Sequence, residues 1–163
     1  MWPFNRKSKE ANEIGTSVQG KKPVENPDLE AAIFRHRAER TEDSSIEVGR
    51  ALNAARYLVP TIADEIVTSK KEDQFVTIES GSIIKFMVCE NKNSERFLPA
   101  FTSWHEVRLW AGNDANAFVM GAHELWEFSL ADPNTYAGVV INPASNPWTL
   151  LPQNIHALLE DYA

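Results

Sequence analysis

Ser103, His105 and Glu106 lie within four residues of one another, and such a set can perform acyl transfer, with the hydroxyl as nucleophile and the imidazole as its base. The spacing favours another role. Ser103 and Glu106 stand three apart where an apolar strand pattern gives way to a helical one, so the hydroxyl can accept from the amide of Glu106 while the carboxylate returns to the amide of Ser103. That is a capping box. His105 then falls in the first helical turn, off the stripe of Trp104, Val107 and Trp110, and should be exposed. No Gly-x-Ser-x-Gly elbow occurs anywhere in the chain, and we assign no catalytic residue.

The other reactive side chains are equally reticent. His36, His105, His123 and His156 share no His-x-x-x-His spacing, and Cys89 is the only cysteine, so neither a metal nor a disulfide is expected. Cys89 closes an apolar run, Met87-Val88-Cys89, where a thiol behaves as a small hydrophobe. The absence of a P-loop and of Gly-x-Gly-x-x-Gly from the sequence leaves no nucleotide cradle, and no cofactor is expected.

A binding surface is easier to place. Nine of the sixteen aromatic residues follow Pro99; most of them, including Trp104, Trp110, Phe118, Trp126 and Phe128, read as core. Trp148 differs, because it follows the turn-rich Asn142-Pro143-Ala144-Ser145-Asn146-Pro147 directly after an apolar strand. Loops at the carboxyl ends of strands commonly receive ligands. Phe101, Thr102 and Ser103 form a second strand-to-helix turn, with helix-start amides free to take a carbonyl or carboxylate. The candidate binding residues are therefore Phe101, Thr102, Ser103, Asn142, Pro143 and Trp148.

Charge narrows the partners. The chain has 163 residues and a formal net charge of -7, but the charge is uneven. Residues 1–22 hold five basic groups against two acidic ones, leaving eleven basic against twenty-one acidic in residues 23–163. From Pro99 onward Arg108 is the sole basic side chain, against seven acidic ones. Such a body repels phosphate backbones, so nucleic acid is not an expected partner and a protein is. The length suits one domain, and 43% hydrophobic residues suit a packed core. No apolar run reaches the roughly 18 residues needed to cross a bilayer, and the start lacks a leader's apolar stretch. Stable membrane insertion is not expected, and the chain reads as cytoplasmic.

The elements follow from periodicity. Residues 1–22 show no apolar period and read as a mobile basic tail, dispensable for folding, ahead of a domain over 23–163. Asn26 as N-cap and Pro27 at the first position open a helix to about Glu39, with Leu29, Ala32, Ile33 and His36 along one stripe. Ser44-Ser45-Ile46-Glu47 opens a second helix that buries Val48, Ala51, Leu52 and Ala55, completing a helical hairpin. Tyr57 to Ile62 reads as a strand with Pro60 at an edge or bulge. A loop over Lys70 to Asp73, a short strand over Phe75 to Ile78, and a hairpin of Ile83–Cys89 with Arg96–Phe101 extend it into an antiparallel meander. Helices at Trp104–Ala111, Ala122–Leu130 and Gln153–Tyr162 then alternate with strands at Ala117–Met120 and Tyr136–Ile141, which requires crossovers. The fold class is α+β: one domain, a mixed sheet containing an antiparallel hairpin, and packed helices.

Asn26-Pro27-x-Leu29-x-x-Ala32, Tyr57-Leu58-Val59-Pro60, Phe97-Leu98-Pro99-Ala100-Phe101-Thr102-Ser103-Trp104, Trp110-Ala111-Gly112 and Ala137-Gly138-Val139-Val140-Ile141-Asn142-Pro143 occur in this order. Together they resemble the SseB protein N-terminal domain family of bacteria, over about Asn26 to Leu159. This family is distinct from the secretion-system translocon protein of the same name. The resemblance implies a link to serine sensitivity or stress physiology and supplies no catalytic residues to carry over. Longer members have a second domain, from which this chain departs by stopping after the first. The leading reading is a non-enzymatic binding or adaptor domain for a protein partner. The alternatives are an enzyme or small-ligand binder, with a pocket between the Phe101–Ser103 turn and the Asn142–Trp148 loop, and an acidic immunity-type inhibitor of a basic protein.

Overall fold

Proline at the first position of a helix costs no hydrogen bond, because the first amides have no partner within the helix. Pro27 uses that freedom. In the computed structural model, which describes residues 24–62 and 85–161, α1 runs Pro27–Glu39, with Asp28 and Glu30 in its first turn and His36 and Arg37 in its last. These charges suit the helix dipole. Arg40, left-handed at φ 54°, closes the helix by donating its amide to the His36 carbonyl.

α2 runs Glu42–Ala54, starting upstream of the expected Ser44. Its N-cap is Thr41, whose hydroxyl accepts from the Ser44 amide while the Ser44 hydroxyl accepts from the Thr41 amide, each at 3.0 Å. The box therefore closes on a serine rather than a glutamate. Ser44 is fully buried and its hydroxyl also meets His36 Nδ1 at 2.7 Å, which ties the two helices together and satisfies the half-buried imidazole.

The remaining elements are β1 (Arg56–Thr61), β2 (Cys89–Glu90), β3 (Arg96–Ala100), α3 (Trp104–Ala111), β4 (Asn116–Gly121), α4 (Ala122–Ala131), β5 (Gly138–Ile141), β6 (Trp148–Leu150) and α5 (Pro152–Asp161). Four strands hydrogen-bond in the order β2-β3-β5-β6, and β3 and β5 are parallel while the other two pairs are antiparallel. The fold is thus α+β with mixed pairing.

Three expectations change. β1 does not lead a meander; it pairs antiparallel with β4, Arg56 opposite Gly121 and Thr61 opposite Asn116, and makes single bridges from Leu58 to Phe101, next to the end of β3, and from Thr61 to Phe86, ahead of β2. The hairpin shrinks to Cys89–Glu90 against Arg96 and Phe97. The Trp148 segment is not only loop, since Trp148 starts β6 and pairs with Ile141. The expected tail, the Lys70–Asp73 loop, the Phe75–Ile78 strand, Ile83, Ile84 and Tyr162 lie outside the described residues.

Pro60 sits in β1 at no cost to the β4 ladder. Neighbouring Leu58 exchanges both backbone bonds with Phe101 at 2.9 Å, and the Pro60 carbonyl accepts from the Met87 amide at 3.0 Å. Alternation along the strand puts its missing N–H on that side, away from β4.

Period-two alternation sorts the core onto both faces of the strands. Tyr57, Val59, Leu98, Val139 and Ile141 pack with Leu29 of α1, Val48 and Leu52 of α2, Leu125 and Trp126 of α4, and Ile155 and Leu158 of α5. Leu58, Phe97 and Val140 face the other way, onto Trp104, Val107 and Trp110 of α3. Two of the polar tips that enter this core are paired: Trp126 Nε1 donates to Asn53 at 2.7 Å and the Tyr57 hydroxyl to the Leu52 carbonyl at 2.7 Å. No helix among the described residues is long and apolar enough to cross a membrane.

Candidate functional site

Parallel strands present their carboxyl ends at the same edge of a sheet, so the turn after β3 and the turn after β5 must be neighbours. Asn142 makes the junction. Its left-handed backbone, φ 52°, is a conformation asparagine tolerates, and its amide still donates to the Ala100 carbonyl at 3.0 Å. Its side chain then grips Thr102 twice, with Oδ1 accepting from the Thr102 amide at 3.1 Å and Nδ2 donating to the Thr102 hydroxyl at 3.0 Å.

The network continues into α1. The Thr102 hydroxyl donates to Glu30 Oε2 at 2.7 Å. Asn26 Nδ2 donates to the carbonyls of Thr102 and Arg56, at 2.9 and 2.8 Å, and its Oδ1 accepts from the Arg56 amide at 3.2 Å. Asn26 stands at the N-cap position of α1, yet its side chain makes no capping bond. It clamps β1 and the Phe101–Ser103 turn to the helix start instead.

Ser103 caps α3 as expected, its hydroxyl accepting from the Glu106 amide at 3.3 Å. The reciprocal half of the box is a correction. Glu106 Oε1 accepts from the Ser145 hydroxyl at 2.7 Å, so this carboxylate reaches across to the β5–β6 turn. His105 is exposed on the first turn of α3.

These contacts frame an open groove of about 500 Å³ between α1 and the β5–β6 turn. It is lined by Glu30, Phe34 and Arg37 of α1, by Glu106 of α3, and by Ser145 and Trp148 across from α1. Phe34 is 66% exposed, the most exposed large hydrophobic side chain described. Arg37 is held: its guanidinium lies 5.4 Å over the Trp148 ring and donates to the carbonyls of Pro147 at 2.8 Å and Asn146 at 3.4 Å. Partial burial lowers its pKa by desolvation. His36 meets the same indole edge-on, with ring centroids 6.0 Å apart. A second cleft of about 440 Å³ shares Glu30 and continues past Asn26 to Ser103, Trp104 and Arg108.

The six candidate residues fall into distinct positions. Phe101 is fully buried against Trp110, with ring centroids 5.6 Å apart, and Pro143 is buried, so neither reaches the grooves. Thr102 is fully buried, and its hydroxyl is committed to Glu30 and Asn142, which leaves it no geometry for attack on a ligand. Ser103 lines the second cleft, and Asn142 and Trp148 line the first. Glu30, Phe34, Arg37 and Glu106 were not among the candidates. An aromatic at position 34, off the buried stripe of α1, was the readable signal for that wall.

Cys89 is buried in β2, and desolvation pushes its thiol up to about 12. It is unreactive in this state. Among the described residues no group of three or more His, Cys, Asp or Glu gathers as a metal site would require. A family model described as SseB protein N-terminal domain matches residues 29–157, a span that runs from α1 into α5 and contains both walls of the groove. No curated protein and no solved structure matches the chain.

Proposed function

The chain belongs to the SseB protein N-terminal domain family, and from that premise we propose that it is a non-enzymatic binding or adaptor domain that holds a protein partner in the groove between α1 and the β5–β6 turn. One observation carries this reading. The polar groups at the joined turns, Asn142 and Thr102, are spent on holding the turns together, while the groove beside them presents exposed Phe34 and the second carboxylate oxygens of Glu30 and Glu106. A rigid base beneath an exposed apolar side chain suits docking, since little ordering entropy is lost when a partner seats. The setting we propose is cytoplasmic, in serine or stress physiology, to which the lone buried Cys89 is suited because it offers no disulfide to lose.

A small-ligand site is the second reading, and the groove volume of about 500 Å³ favours it, being within the ordinary range for such sites. Affinity purification from the native host with the parent and with Phe34→Ala separates the two. Phe34 supports nothing in the core, so its truncation should leave the melting temperature unchanged. A protein recovered with the parent and lost with Phe34→Ala supports the adaptor reading. Equal recovery puts the docking surface elsewhere, and a small molecule seen by native mass spectrometry in the parent alone favours the second reading.

A further inference from the structure

The proposed groove carries an imbalance that specifies its occupant. Glu30 and Glu106 both line the groove, each with one carboxylate oxygen fixed by a hydroxyl, from Thr102 and from Ser145, at 2.7 Å in both cases. Neither forms a salt bridge with a cation among the described residues, unlike Glu39 and Glu47, which pair with Arg35, and Glu90, which pairs with Arg96. The one cation lining the groove, Arg37, is stacked over Trp148 and its Nη2 is committed to the carbonyls of Asn146 and Pro147.

Building on the adaptor reading, we infer that the partner presents an extended peptide in which a large apolar side chain is followed closely by Lys or Arg. The apolar group would cover Phe34, which is 66% exposed on the groove wall. The cation would sit between the two carboxylates, each of which keeps an oxygen free of the hydroxyl contact described above. Because the hydroxyl bonds fix the carboxylates in place, a cation gains their field without first having to order them. The part of the chain after Pro99 holds Arg108 against seven acidic groups, which disfavours acidic peptides and so sharpens the choice.

The test uses the full chain and three fluorescein-labelled synthetic peptides with the same Phe and Leu positions, carrying Lys, Gln or Glu at the neighbouring sites. Fluorescence anisotropy should show the Lys peptide binding most tightly, with an affinity that falls as salt rises. The double variant Glu30→Gln, Glu106→Gln keeps acceptors for Thr102 and Ser145, so it should fold as the parent does. It should weaken the Lys peptide about tenfold and leave the Gln peptide unchanged, on the scale of two partly exposed ion pairs. Equal binding of Lys and Gln peptides, lost in Phe34→Ala, would overturn the basic specificity while keeping the groove. Binding of none of the three overturns both. The chain's own basic residues are the competing occupant: if the Lys peptide binds only to the full chain carrying Arg6→Glu, Lys7→Glu and Lys9→Glu, the groove belongs to residues 1–22 and not to a partner.

Discussion

Ser103 holds one end of α3 with a single bond to the Glu106 amide. Ser103→Ala should cost about 0.5 to 2 kcal/mol in urea unfolding, while Ser103→Asp, which caps as well and complements the dipole, should stay near the parent. Asn26 is the more consequential residue, although the same reasoning about helix starts leads to it. Its amide joins α1, β1 and the turn before α3 through three bonds, so Asn26→Ala should cost about 1 to 3 kcal/mol, and Asn26→Asp, which keeps the acceptor but loses both donors, should not restore the parent. Cys89 gives a pH test. Its pKa is raised from 9.0 to about 12 in the folded state, so the unfolded chain releases this proton first, and stability that is present below pH 9 should decline as pH rises from there toward 12. A thiol reagent at pH 8 should modify Cys89 only at the rate of unfolding; rapid stoichiometric labelling of the native chain would contradict its burial.

β5 and β6 approach so closely at Gly138 that a Cβ there would stand 2.2 Å from the Leu150 carbonyl oxygen. Backbone cannot yield as a side-chain tip can, so Gly138→Ala should destabilise by about 2 kcal/mol or more and displace β6. Since β6 carries Trp148, the same variant should also disturb the wall of the groove, visible as a change in indole fluorescence. Elements with a strong local signal were legible in the sequence. α3 begins and ends as read because Ser103 and the Trp104, Val107, Trp110 stripe are local to it. β6 was not read, because three residues after Pro147 are too few to show alternation. The partner of β1 was not read either, since pairing with β4 is decided by packing across the chain rather than by anything in Tyr57 to Thr61. The groove divides in the same way. The two turns could be placed from strand-end patterns, but the α1 wall could not, because which helix crosses a given pair of turns is a tertiary matter. Glu106 shows the limit most sharply: its spacing to Ser103 fits a reciprocal cap, and a hydroxyl from a distant turn takes the carboxylate instead.

Residues 1–22 show no apolar period, and among the described residues the two core clusters begin at Val24. Removing residues 1–22 should therefore shift the melting temperature by less than the roughly 2 to 4 °C that 1 kcal/mol produces in a chain of this size. A larger loss would show that this segment contributes to the fold. The pairing of Arg56 with Gly121 has a consequence on the ribosome. At roughly 5 to 20 residues per second of synthesis, β1 emerges several seconds before β4 exists to pair with it. During that interval Tyr57-Leu58-Val59, fully buried in the finished protein, is an apolar strand with both edges open, which makes the nascent chain a client for holdase chaperones at this stage and sets its yield in cells by translation speed as much as by final stability.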